Sequence, residues 1–185
     1  MKPLALAGLV STLIAASALF AQDVPGISEP QKEHEWLQQF LGDWESESEV
    51  IDKEGQPSMQ CKGTMKYRAI GGLWVVADVK SEIGGFSVTA IQTIGYDPKE
   101  KKYIGTWVDS VMNHLWKYEG SVDKSGKVLT LEAEGPDFEN PGKTARYRDV
   151  YEFKSKDLIE ISSQAQAPDG KWVKFMKGNA RRKKE

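Results

Sequence analysis

The chain has 185 residues, room for one domain and too few for two of ordinary size. Its 25 lysines and arginines stand against 27 aspartates and glutamates, a balance that argues against a general nucleic-acid binder. Cys61 is the only cysteine, so no internal disulfide can form and packing alone must hold the fold.

Met1-Lys2-Pro3 opens the chain, an uncharged apolar run follows from Leu4 to Phe20, and Ala21 stands before Gln22-Asp23. A charge, an apolar core and a small-residue exit are the parts of a secretory signal, so residues 1–21 are expected to be removed on export. The run holds roughly 17 residues against the ~20 of a membrane helix, so no membrane anchor is expected after cleavage. A periplasmic or extracellular protein is implied. Residues 22–29 form a linker and residues 30–185 the domain.

Ser28 and Gln31 have capping-box spacing, with Pro30 tolerated in the first turn. Trp36, Leu37, Phe40 and Leu41 recur at helical spacing until Gly42 stops the segment, which predicts one short amphipathic helix. After Asp43 the period falls to two. Runs of alternating apolar and polar residues are closed by turns such as Asp52-Lys53-Glu54-Gly55, Gly71-Gly72, Gly84-Gly85, Asp123-Lys124-Ser125-Gly126 and Ala167-Pro168-Asp169-Gly170.

These runs predict roughly ten strands whose connections are too short for parallel crossovers. A single sheet of that length leaves two edges open, which closure removes. The expected fold is all-β, one antiparallel up-and-down barrel of the lipocalin-like kind. Trp44, Ser46 and Ser48 share the inward face of the first strand, with Glu45, Glu47 and Glu49 outside. Cys61, Gly63, Met65 and Tyr67 form the inward face of the second. Further on, His114, Trp116 and Tyr118 oppose Lys117 and Glu119, and Leu129, Leu131 and Ala133 oppose Glu132 and Glu134. Small and polar residues inside leave space where Leu, Ile and Val would fill it, giving either a water-filled lumen or a ligand cavity.

The helix followed by Gly42-Asp43-Trp44 resembles the Gly-x-Trp opening of lipocalins and related calycins. That resemblance implies that Arg181 or Arg182 lies over Trp44, a cation–π contact worth ~0.5 to 2 kcal/mol that ties the last strand to the first. Four further segments are more specific: His34-Glu35-Trp36-Leu37, Gly95-Tyr96-Asp97-Pro98, the run from Tyr103 to Ser110, and the closing Arg181-Arg182-Lys183. With Gly42-Asp43-Trp44 they resemble the bacterial domain-of-unknown-function family 1579 over nearly all of the chain after the signal. The resemblance implies a lipocalin-like barrel and no established activity.

Trp107, Asp109, Ser110, Asn113, His114, Trp116 and Tyr118 bring an acid, a hydroxyl, an imidazole and two indoles into one short stretch. An acyl-transfer arrangement of Ser110, His114 and Asp109 meets the objection that adjacent strand residues point to opposite faces. His34 and His114 lack the short spacing of zinc ligands, so no metal is expected; haem on His114 would need a roomy apolar lumen, and no cofactor is expected either. Arg146 and Arg148 alternate with Tyr147, Asp149, Tyr151 and Phe153. Turned inward, those arginines would hold a carboxylate as fatty-acid-binding barrels do; with the aromatic face inside they are solvated.

The expected function is non-catalytic binding of a small apolar or amphipathic ligand in the lumen, through Tyr67, Trp107, Asp109, His114, Trp116, Tyr118 and Arg148. Two other readings stand beside it. One is a hydrolase or isomerase using Asp109 and His114; the other is a barrel acting through its outer surface on an envelope partner.

Overall fold

A computed structural model describes residues 28–184; the expected signal segment lies outside the described residues. The first elements of the described residues are α1 (Lys32–Leu37) and one turn of 3-10 helix (Gln38–Phe40). The helix starts later than its sequence suggests. Gln31, in extended geometry, is the N-cap, and its N–H donates to Nδ1 of His34 at 2.9 Å, so His34 does what the Ser28–Gln31 box was expected to do. Gly42 turns the chain into the sheet at φ +108, where a Cβ would sit 3.0 Å from Nη1 of Arg182.

Ten strands follow, all antiparallel to their neighbours: β1 (Gly42–Ile51), β2 (Pro57–Ile70), β3 (Trp74–Ile83), β4 (Phe86–Asp97) and β5 (Lys102–Asp109) form the first half. β6 (Trp116–Val122), β7 (Val128–Pro136), β8 (Thr144–Ser155), β9 (Leu158–Gln166) and β10 (Trp172–Arg182) form the second. Each strand pairs with the next in sequence, and β1 also pairs with β10, from Trp44 opposite Arg182 to Val50 opposite Met176. The sheet is therefore a closed meander without edges.

Trp44 is fully buried while Glu45 and Glu47 are exposed, so the tryptophan face of β1 points to the axis as its alternation predicts. The same holds for Tyr67 on β2, Trp116 and Tyr118 on β6, Leu129 and Leu131 on β7, and Tyr147, Tyr151 and Phe153 on β8. The free thiol of Cys61 is buried on this inner face.

A meander places alternate connections at opposite ends of the barrel. One end holds the β2–β3, β4–β5, β6–β7 and β8–β9 turns and is plugged by the helix. There Leu37 and Phe40 are fully buried, and the Phe40 ring lies 5.1 Å from Tyr67, 5.0 Å from Phe153 and 5.6 Å from Tyr151. Trp36 donates through Nε1 to the Gly126 carbonyl at 2.8 Å, and the Tyr103 hydroxyl donates to the Glu33 carbonyl at 3.2 Å, so the plug is bonded to the barrel wall. The other end, with the β1–β2, β3–β4, β5–β6, β7–β8 and β9–β10 connections, has no such plug among the described residues.

Candidate functional site

The lumen changes character along its axis. Beneath the aromatic plug's reach, Gln92 is almost fully buried and bridges two tyrosines: the Tyr67 hydroxyl donates to its Oε1 at 3.1 Å, and its Nε2 donates to the Tyr151 hydroxyl at 2.8 Å. Burial in low dielectric pushes both phenols above their ordinary range, so they stay neutral. This bridge divides the packed end from a cavity of about 250 Å³ that opens toward the unplugged end.

Apolar and sulfur-bearing side chains form most of the cavity wall, among them Met65, Val79, Val88, Ile161, Met176 and Cys61. Polar groups converge at two depths. At the mouth, Asp109 at the end of β5 accepts from Trp107 Nε1 at 2.9 Å and from the N–H groups of Val111 and Met112 at 2.9 and 2.8 Å. Deeper, Asp149 on β8 accepts from the Tyr118 hydroxyl and from Ser163 Oγ, each at 2.6 Å. Burial raises the Asp149 carboxyl above its usual range, and the bonds from Ser163 and Tyr118 act in the opposite direction. Burial, then the nearby Asp149 charge, also holds the Tyr118 phenol well up.

Of the side chains singled out from the sequence, Trp107 and Asp109 line this cavity. Tyr67 and Tyr118 lie one hydrogen bond behind it, through Gln92 and Asp149. Trp116 packs instead into a second aromatic group, edge-on to Tyr147 at 5.2 Å, with Phe138 beyond. His114 sits in the β5–β6 connection with its ring 4.9 Å from Trp116 and Nε2 3.4 Å from the Glu134 carbonyl, so it and Asp109 serve different partners. Arg148 is a correction. It points outward, its guanidinium 4.4 Å from the Trp172 ring centre and its Nη2 donating to Gln164 Oε1 at 2.7 Å, because Tyr147, Asp149 and Tyr151 take the inner face of β8. Among the described residues no arginine lines the cavity.

A family model described as "Protein of unknown function (DUF1579)" matches residues 29–182. The chain belongs to that family. Among curated proteins none matches the sequence. Among solved structures, this DUF1579 barrel is similar to an S-type phycobiliprotein lyase, CPES, from Guillardia theta: TM-score 0.55, 12% identity, covering 85% of this chain and 99% of that one. A fluorescence-activating β-barrel designed de novo aligns with TM-score 0.44 at 17% identity, covering 79% of this chain and 95% of the design. At such identities the likeness to the lyase is one of fold.

Asp149, Gln92 and Ser163 are among the polar side chains of the DUF1579 lumen that were not expected at the site. Asp149 carried a signal: an acid alternating with Tyr147, Tyr151 and Phe153 on a face otherwise aromatic. Gln92 carried a similar one, alternating with Val88, Ala90 and Ile94, while Ser163 carried none, since it sits in a run of mixed small and polar residues. Around the mouth, Phe86 is 75% exposed and Phe138 60%, with Val111 nearby in the β5–β6 connection, so apolar side chains also stand on the connections of the open end.

A wider groove of about 720 Å³ crosses the outside of the sheet, walled by Glu45, Glu47, Lys62, Lys80, Glu82 and Arg181. Its walls are exposed and alternate in charge, with Lys62 already 3.4 Å from Glu47. Such a surface offers little desolvation to a ligand, and the lumen is the better site.

Proposed function

We propose that this exported barrel holds a small apolar or amphipathic molecule in the cavity at its open end and does no chemistry on it. The observation that carries this reading is the division of the lumen: one end is filled by Leu37, Phe40 and bonded tyrosines, while the other keeps an apolar space over a polar floor. A core that served stability alone would gain from filling that space, because buried voids forfeit dispersion contacts. Apolar side chains around the mouth suit the passage of an apolar body.

Native mass spectrometry of the protein purified from its native host tests the reading. The expected result is an added mass that leaves on denaturation, and its loss in Val88→Phe, which fills the cavity from β4 while the cooperative melt is kept. Bare chain in every preparation, with no uptake from a lipid and metabolite extract, would overturn it. Export rests on residues 1–21; N-terminal sequencing of the native protein is expected to begin near Gln22, and an intact Met1 would refute it.

A further inference from the structure

We infer that the ligand carries a positive charge, a protonated amine or similar cation, and seats it against Asp149 with its apolar body toward the mouth. The inference rests on the cavity being the binding site and adds the charge of what enters it.

Asp149 and Asp109 both line the cavity. Among the described residues, the one cationic residue on its boundary is Lys62, whose side chain is 75% exposed on the outer face and ion-paired there with Glu47 at 3.4 Å. The arginines of β8 face away: Arg146 pairs with Glu132 at 2.5 Å, and Arg148 stacks on Trp172. The lumen therefore lacks the cation that an anionic ligand needs, and a fatty acid entering it would meet carboxylate with carboxylate. Buried charges are ordinarily paired, and the donors around Asp149 are the neutral hydroxyls of Tyr118 and Ser163. Those two bonds occupy one position on each oxygen and fix the carboxylate plane; a carboxylate has about four acceptor sites, so room for a further donor is left.

The two acids differ in what they still need. Asp109 accepts from an indole and two backbone N–H groups, a loop-ordering arrangement complete in itself. Asp149 sits deeper, among Tyr151, Ile161 and Ser163, where water competes less and an ion pair is stronger. A cation placed there offsets the desolvation cost of that carboxylate.

Isothermal titration of the mature protein at neutral pH with octylammonium, octanol and octanoate separates charge from apolar burial. Octylammonium is expected to bind at least about tenfold tighter than octanol, and octanoate more weakly than either. Asp149→Asn, nearly isosteric, is expected to bring octylammonium to the level of octanol, while Asp109→Asn keeps the preference. Octanol binding as tightly as octylammonium, octanoate binding best, or Asp109→Asn abolishing the preference would each overturn the charge assignment and leave the cavity reading standing. Failure of all three probes to bind, by the wild type and Val88→Phe alike, would overturn both. The series in the wild-type protein decides the question even if Asp149→Asn does not fold.

Discussion

The Arg182 guanidinium lies 4.1 Å from the centre of the Trp44 ring, at the seam where β10 meets β1. The indole is held from its other side too, with Nε1 donating to the Phe40 carbonyl at 2.7 Å. Arg182 also donates to the carbonyls of Leu41, of Gln39 at 2.9 Å, and of Lys156 at 3.0 Å. One side chain thus ties together the helical plug, the first strand, the last strand and the β8–β9 turn.

Arg182→Ala is expected to cost about 2 to 4 kcal/mol, the sum of a partly desolvated cation–π contact and several charge-assisted bonds to carbonyls. Arg182→Lys keeps the charge and loses the planar fork, so it should recover less than half of that. Urea denaturation followed by tryptophan fluorescence measures both, and a change below about 0.5 kcal/mol for the alanine variant, the scatter of ordinary surface changes, would show that the seam does not need this residue.

Gly135 on β7 has Trp116 lying over it: a Cβ there would fall 2.2 Å from the indole. The indole is buried and edge-packed against Tyr147, so it cannot swing aside cheaply. Gly135→Ala is expected to destabilise by about 1 to 3 kcal/mol through overpacking, with a red-shifted tryptophan emission as Trp116 is pushed toward Phe138 and solvent. A variant as stable as the wild type with unchanged emission would mean that the ring has room to move.

Gln92→Leu leaves the Tyr67 and Tyr151 hydroxyls without their shared partner in a buried place. Each stranded hydroxyl costs about 1 to 3 kcal/mol, so a loss of about 2 to 6 kcal/mol is expected in chemical denaturation. Adding Tyr67→Phe and Tyr151→Phe to the same chain should restore much of it, since replacing every partner of a bond is far milder than replacing one. Failure of the triple variant to recover stability would indicate that Gln92 matters for its shape and not for its bonds.

The barrel was legible because period-two alternation survives in nearly every strand. Glu45, Glu47 and Glu49 against Trp44, Ser46 and Ser48 assign β1's faces without knowing its neighbours. The helix start was missed by a few residues because a histidine at the third helical position can accept from a backbone N–H as Gln31 and His34 do, a pairing that propensity does not weigh. The site was half legible for a different reason. Trp107 and Asp109 bond within one strand, so their proximity is local. Asp149 meets Tyr118 over the intervening strand β7 and Ser163 across a strand pair, at separations of 31 and 14 residues, and such meetings depend on register, which alternation leaves undetermined. Arg148 faces outward because Tyr147, Asp149 and Tyr151 take the inner face of β8, an alternation the sequence does show, whereas its stacking on Trp172 of β10 depends on register.

Asp149→Asn is expected to stabilise the empty barrel at neutral pH. Burial raises the folded carboxyl above its ordinary 3.8, so the folded chain holds a proton that the unfolded chain has already released. Rising pH between 3.8 and the folded value therefore favours the unfolded state, and above both the whole cost of burying the charge is present. Below 3.8 both states are protonated and the cost vanishes. Asparagine does not titrate; its oxygen can accept from Tyr118 and its amide can donate to Ser163, so both bonds persist. The variant should melt a few degrees higher near pH 7, with the gap closing as the pH is lowered toward that of the free carboxyl. A gap that is absent at neutral pH, or that stays constant on acidification, would show that the buried charge costs nothing, and with it would go the reason for a cation to be drawn to this floor.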